Sequence, residues 1–170
     1  MLHLPSGIIQ DMIAHAQELA PHECCGLLSG KDQTVSEHYR ITNILANMAE
    51  GDLSRFEGAK LSDLQRLSPE ERADIAFQMD AREMAMAQRD IRSKELDLIG
   101  FYHSHTASPA RPSQTDITIA MEFESYRQKL NLPEPLHLII SLEKAESPDI
   151  RAYRIQDSEA TEVSIQQIPS

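Results

Sequence analysis

Two histidines one residue apart, His103 and His105, close an apolar run over Leu98–Tyr102; a proline-containing loop follows, and then Ser113-x-x-Asp116. On an extended strand, residues i and i+2 point to the same side, so two imidazoles at this spacing can meet one metal ion. Asp116 stands where a helical pattern begins, and it can bring a hard, charged ligand from a second element. Two histidines and one carboxylate leave a fourth tetrahedral position for water, which is the composition of a catalytic rather than a structural zinc site. Zinc in such a site lowers the pKa of its water to about 7. Each half of the pattern has an ordinary explanation when it stands alone. A strand histidine is most often a surface or core residue, and Ser-x-x-Asp before an apolar helix is a capping box. The conjunction of the two is harder to dismiss.

Other catalytic layouts are absent. His22-Glu23 is followed by Cys24, Cys25 and Gly26, so no HExxH is formed, and there is no PCxxC segment of the zinc-deaminase kind. GxSxG, the P-loop and GxGxxG are missing as well. A metal hydrolase needs a proton shuttle outside the ligand set, usually a carboxylate, and this motif does not contain one. Cys24 and Cys25 are adjacent, which suits neither an ordinary disulfide nor a CxxC pair, and they read as small buried hydrophobes.

A chain of 170 residues fits one domain with a sizeable core. With 16 basic and 27 acidic residues the net charge is −11, which works against phosphate-backbone binding, so no nucleic-acid partner is expected. No apolar run approaches the roughly 20 residues of a membrane span, and MLHLPSGIIQ lacks the basic start and apolar centre of a secretory signal. No membrane association and a cytoplasmic location are the expectations.

The elements that must position the motif follow from periodicity. Ile8, Ile9, Met12, Ile13, Ala16 and Leu19 recur at helical spacing over 7–20, with Ser6 as the expected cap. CCGLLSG (24–30) and VSEHYRIT (35–42) read as paired strands around a turn at Gly30-Lys31-Asp32. Ser68-Pro69-Glu70-Glu71 and Asp80-x-x-Glu83 are helix starts, the second opening a helix with Met84, Ala87 and Ile91 on one face. FQMD (77–80) reads as a short strand, Leu98–Tyr102 as a strand, and Ser113 to about Phe123 as a helix with Ile117, Ala120 and Met121 inward. LHLIISL, IRAYRIQ and TEVSIQQI close the chain as three strands. The class is α/β, one domain over 1–170 with a central mixed sheet flanked by helices, and an inserted flap at about 47–76.

His103-Ser104-His105, seven residues, Ser113, two residues and Asp116 resemble the signature of the JAMM (MPN-plus) metalloproteases. Pro21-His22-Glu23-Cys24-Cys25-Gly26-Leu27-Leu28-Ser29-Gly30 resembles that family's N-terminal glutamate segment, and Asn43, FQMD and LHLIISL stand in the matching order. The resemblance implies a cytidine-deaminase-like fold with one Zn2+ held by His103, His105, Asp116 and a water. It implies that Glu23 moves the water's proton to the leaving amine and that Ser113 hydrogen-bonds the oxyanion. His15, His22, His38 and His137 match no role, and Thr106 stands where many relatives carry proline.

The chain resembles the small prokaryotic members, the sulfur-carrier (CysO-cysteine-type) peptidases, more than the eukaryotic deubiquitinases. That likeness implies hydrolysis of a peptide or isopeptide bond after the C-terminal Gly-Gly of a ubiquitin-like or sulfur-carrier protein. Two other readings stay open: a metal-free interaction scaffold on the same fold, and a zinc amidohydrolase for a small amide. The insert carries Met48, Leu53, Phe56, Leu61, Leu64 and Leu67 among charged residues. It suits a cover for the cleft, a segment that binds the carrier's extended tail by strand addition, or a tolerated surface excursion.

Overall fold

The computed structural model describes residues 1–47 and 53–170. Eight strands form one sheet: β1 Leu2–Pro5, β2 Cys25–Lys31, β3 Thr34–Ile41, β4 Asp97–His105, β5 Leu136–Ser141, β6 Asp149–Gln156, β7 Glu159–Val163 and β8 Ile165–Ile168. Their order is β7-β6-β5-β4-β2-β3-β1-β8. β4 runs parallel to β5 and β1 parallel to β3 and β8, while the remaining pairs are antiparallel, so the sheet is mixed as expected. β7 and β8 lie at opposite ends of this order, yet only Ser164 separates them in sequence. The sheet therefore curls until its two ends meet, and the Leu2 N–H bonds the Ser164 carbonyl at that seam (2.9 Å).

The two-residue period of the strands sorts side chains onto two faces. Leu28, Tyr102, Leu138 and Ile140 pack with Leu2 and Leu4 against Met12 and Ala16 of α1 (Ser6–Leu19). Their neighbours of opposite parity face the other side. There, Cys25 and Leu27 meet Ala87 of α4 (Ala81–Ser93), and Ile139 and Ile155 meet Ala120 of α5 (Gln114–Leu130). Gly26 is required by close approach, because a Cβ there would stand 2.3 Å from the Tyr102 ring and 2.4 Å from the Tyr39 carbonyl.

The insert carries α2 (Gly58–Arg66) and α3 (Pro69–Arg72), with Ser68 capping α3 through the Glu71 N–H (3.3 Å). Leu45, Phe56, Leu64, Ala73 and Ala76 form a small core of their own, against which Ile119 of α5 packs. Residues 48–52, with Met48, lie outside the described residues.

Several local expectations are corrected. Pro5 rather than Ser6 occupies the N-cap position of α1, with no side-chain cap, and the Ser6 hydroxyl meets Ser170 Oγ at 2.9 Å. The β2–β3 turn sits at Asp32-Gln33, both with positive φ, the twist a two-residue hairpin turn requires. FQMD is not a strand, since only Met79 forms an isolated bridge, to Asn43. α5 continues to Leu130, where Asn131 closes it in the left-handed region. TEVSIQQI is two strands broken at Ser164, and β1 was too short and too proline-bound to show a period. Among the described residues no helix is long and apolar enough to cross a membrane.

One core contact makes the fold sensitive to acid. His15 is buried on α1, its Nδ1 2.9 Å from the Tyr102 hydroxyl, and burial pulls its pKa down to about 4. The unfolded chain takes up this proton first, near pH 6.5. The stabilisation is thus complete above that pH and is lost as pH falls toward 4. The fall from 6.5 to about 4 is worth about 3 kcal/mol. Urea denaturation at pH 7 and 4.5 should show His15→Gln losing less stability on acidification than wild type; equal losses would contradict this account.

Candidate metal centre

At the end of β4 the side chains alternate: Tyr102 meets His15 of α1 and Ser104 meets Cys24, while His103 lines a cavity with Met84 of α4 and Phe123 of α5 and His105 meets Asp116 of α5. Ser104 is fully buried; its Oγ accepts from the Cys24 N–H (2.7 Å), and its own N–H donates to the Cys24 carbonyl (3.1 Å). This latch fixes the residue before β2 beside the end of β4, which places Glu23 next to the histidines. His103 Nε2 and His105 Nε2 are 3.1 Å apart, and Asp116 Oδ2 lies 3.3 and 3.2 Å from them.

Ligands at about 2.0–2.1 Å from a tetrahedral zinc stand about 3.4 Å from one another. The triangle of donors fits that requirement, and its nitrogen and oxygen atoms suit the metal. The His105 Nδ1 faces the Pro109 carbonyl at 2.9 Å, an outer contact that leaves Nε2 as the ring atom turned toward Asp116. His103 stacks on Phe77, with centroids 4.6 Å apart. Cys24 and Cys25 are fully buried, and burial pushes the Cys24 thiol up to about 12 and Cys25 well above its ordinary value. They are packing residues.

A carboxylate oxygen of Glu23 and a ring nitrogen of each histidine lie within 4.8 Å of one another. Two carboxylates therefore approach the same pair of rings. The closer approach belongs to Asp116, whose burial raises its pKa but is outweighed by His103 and His105, which hold the carboxyl well below the usual range. Burial dominates at Glu23 and pushes it up to about 8, with His105 opposing. In the metal-free chain burial lowers His105, yet the hydrogen bonds it donates to Asp116 and to the Pro109 carbonyl outweigh that effect and its pKa is raised.

Ser113 caps α5 in a full capping box: its N–H donates to Asp116 Oδ2 (2.8 Å) and its Oγ accepts from the Asp116 N–H (3.1 Å). The cap and the candidate ligand are thus one structure. The hydroxyl acts as acceptor in that pair, and its own proton remains to be donated.

Two cavities adjoin the triad and share Phe77, Asp116 and Ile119 as a wall. The first, about 270 Å³, contains Glu23, His105 and Ser113, with Phe56 and Lys60 of the insert on its border. The second, about 280 Å³, is lined largely by apolar side chains from α4, α5 and the sheet, with His103 in its wall.

Residues 5–156 match the model of the family described as prokaryotic homologs of the JAB domain (Prok-JAB). The chain belongs to this Prok-JAB family. It is 25% identical over 164 residues to the CysO-cysteine peptidase of Mycobacterium tuberculosis, covering 95% of this chain and 88% of that one. The solution structure of protein DSY2949 from Desulfitobacterium hafniense is 28% identical with a TM-score of 0.70, covering all of this chain and 94% of that one. AF2198, a JAB1/MPN domain protein from Archaeoglobus fulgidus, shares the fold at 15% identity and a TM-score of 0.51, covering 98% of this chain and 97% of that one.

The Prok-JAB domain also holds its site with residues that spacing did not reveal. Asn43 is buried, and its Nδ2 donates to the carbonyls of Glu23 (3.0 Å) and Ala76 (3.1 Å), while its Oδ1 accepts from the N–H groups of Leu45 (3.2 Å) and Gln78 (3.1 Å). This one amide ties the Glu23 backbone to both ends of the insert. Asn43→Ala strands those groups and should cost about 2–4 kcal/mol, read from urea denaturation. A loss under about 1 kcal/mol would show that water replaces the amide.

Of the four histidines without an expected role, His15 serves the core, and His22 pairs with Asp74 (2.6 Å) at the cavity edge. His38 stands 3.9 Å from Asp11. His137 stacks near Phe101 in the wall of the second cavity, and burial pulls its pKa down to about 4. Thr106 donates to the Pro21 carbonyl at 3.3 Å, so the loop after the histidines is tied to the Glu23 segment without the proline common there. Phe77 and Asn43 lay in segments the sequence marked by order alone.

Proposed function

We propose that this chain is a zinc-dependent peptidase that hydrolyses the bond after a C-terminal Gly-Gly of a ubiquitin-like or sulfur-carrier protein. The observation that carries the reading is the juxtaposition of a compact His103–His105–Asp116 donor triangle with a second, buried carboxylate whose pKa is raised toward neutrality. A scaffold without a metal has no physical need for that arrangement. The similarity to a CysO-cysteine peptidase supports a carrier tail as substrate and cysteine as the leaving residue.

His103, His105 and Asp116 would hold the ion, and zinc there supplies Lewis-acid chemistry, acidifying a water and polarising the scissile carbonyl. Glu23 takes the attacking water's proton and passes it to the leaving amine, the shuttle role a buried carboxylate beside the donor triangle can fill. Ser113 donates its hydroxyl proton to the oxyanion where negative charge develops. Phe77 and the Pro109 carbonyl fix the two imidazoles, so little reorganisation is needed on reaction.

Intact-mass analysis of a sulfur-carrier protein extended past Gly-Gly tests the reading. Zinc-loaded enzyme should release the extension, chelation should stop it, and added zinc should restore it. A zinc-loaded protein that leaves the carrier intact but hydrolyses a small amide would favour the amidohydrolase alternative. A chain that binds no zinc would favour the scaffold.

A further inference from the structure

Glu23 and Ser113 both line the first cavity and neither lines the second. The group that receives a proton from Glu23 is the leaving amine; Glu23 also borders a third cavity, of about 490 Å³, but the first is the one it shares with His105, Ser113 and Asp116, and this places the leaving residue there. About 270 Å³ is below the roughly 300–1,000 Å³ usual for small-molecule sites, a size that suits one or two residues rather than a folded leaving group.

The charges there are unevenly paired. Asp74 turns to His22 at 2.6 Å, and Asp116 is engaged by both site histidines. Lys60 of α2 is half-buried on the border of the same cavity, and its Nζ donates to the Ile75 carbonyl at 2.9 Å. Among the described residues it has no carboxylate partner within 4.0 Å. An ammonium has three donors, and one carbonyl uses only one of them.

We propose that Lys60 binds the α-carboxylate of the leaving amino acid, so that the enzyme selects tails with a single terminal residue beyond Gly-Gly over longer or amide-linked extensions. This rests on the peptidase reading above and narrows its substrate class. A cavity bordered by Glu23, Asp74 and Asp116 repels an acidic leaving group unless a cation compensates, and Lys60 is the lysine or arginine that lines it. An isopeptide or a longer extension brings no carboxylate to that point and gains nothing from the lysine.

The test compares two carriers ending Gly-Gly-Cys, one with a free C-terminal carboxylate and one with a C-terminal amide, by kcat/KM from intact mass. A charge-assisted contact predicts that wild type prefers the acid by about 10- to 100-fold. Lys60→Met should bring the ratio close to one, and Lys60→Arg should keep most of it. Because the ratio is taken within each enzyme, any effect of Lys60 on Glu23 or on the fold cancels. Cleavage of both carriers at equal rates by wild type, or an unchanged ratio in Lys60→Met, overturns the lysine's role and leaves the peptidase reading intact. Cleavage of neither carrier overturns the peptidase reading, and this inference falls with it.

Discussion

Glu23→Gln is expected to lower carrier cleavage by about 10²- to 10⁴-fold, the usual worth of a positioned general base, with zinc content unchanged. Glutamine keeps the shape of the side chain and removes the ability to accept and return a proton. The three closest donors, His103, His105 and Asp116, are untouched, so the metal should stay. The stability effect runs the other way. Burial raises Glu23 to about 8 from 4.5, so in the metal-free chain the unfolded state ionises first and stability is lost as pH rises through that window. Metal-free Glu23→Gln should therefore match or exceed wild-type stability at pH 8. Retained turnover would remove Glu23 as the base; lost zinc would make it a ligand instead.

His105→Ala is expected to abolish both metal and cleavage, with zinc affinity weakened by more than the roughly 10–100-fold that outer-contact changes cost. The substitution removes one corner of the donor triangle and the contact to the Pro109 carbonyl. It also deprives the buried Asp116 of one of its two histidine partners. Elemental analysis alongside circular dichroism separates loss of metal from loss of fold. A folded variant that still carries one zinc per chain would contradict the assignment.

Much of this site was legible because its residues sit at element ends, where sequence signals are strongest. The period of two placed His103 and His105 on one side of β4, and the capping pattern placed Ser113 and Asp116 at the start of α5. A cap turned out to be part of the donor geometry, since Asp116 Oδ2 serves the Ser113 N–H and approaches both rings. The approach of Glu23 to the histidines depends on the Ser104–Cys24 latch, a pairing between residues 80 positions apart that no local pattern carries. Resemblance supplied that step.

The parts that did not show were those set by the sheet as a whole. β1 is too short to display a period, and the break at Ser164 becomes necessary only because one segment must serve both ends of a curled sheet. Asp32 and Gln33 take left-handed φ without glycine, so the nearest glycine, Gly30, is a misleading marker of the hairpin. The insert's role was undecidable from composition. Phe56 and Lys60 acquire meaning only once α2 is seen against the cavity that Glu23 enters.

The claim on which everything else depends is that one ion sits among His103, His105 and Asp116. Anomalous diffraction at the zinc edge from crystals of the zinc-loaded protein tests it most directly. The account predicts a single strong peak about 2.0–2.2 Å from His103 Nε2, His105 Nε2 and an Asp116 oxygen, with Glu23 outside bonding distance. A peak bonded to Cys24 or Cys25, or none at this site, would contradict it.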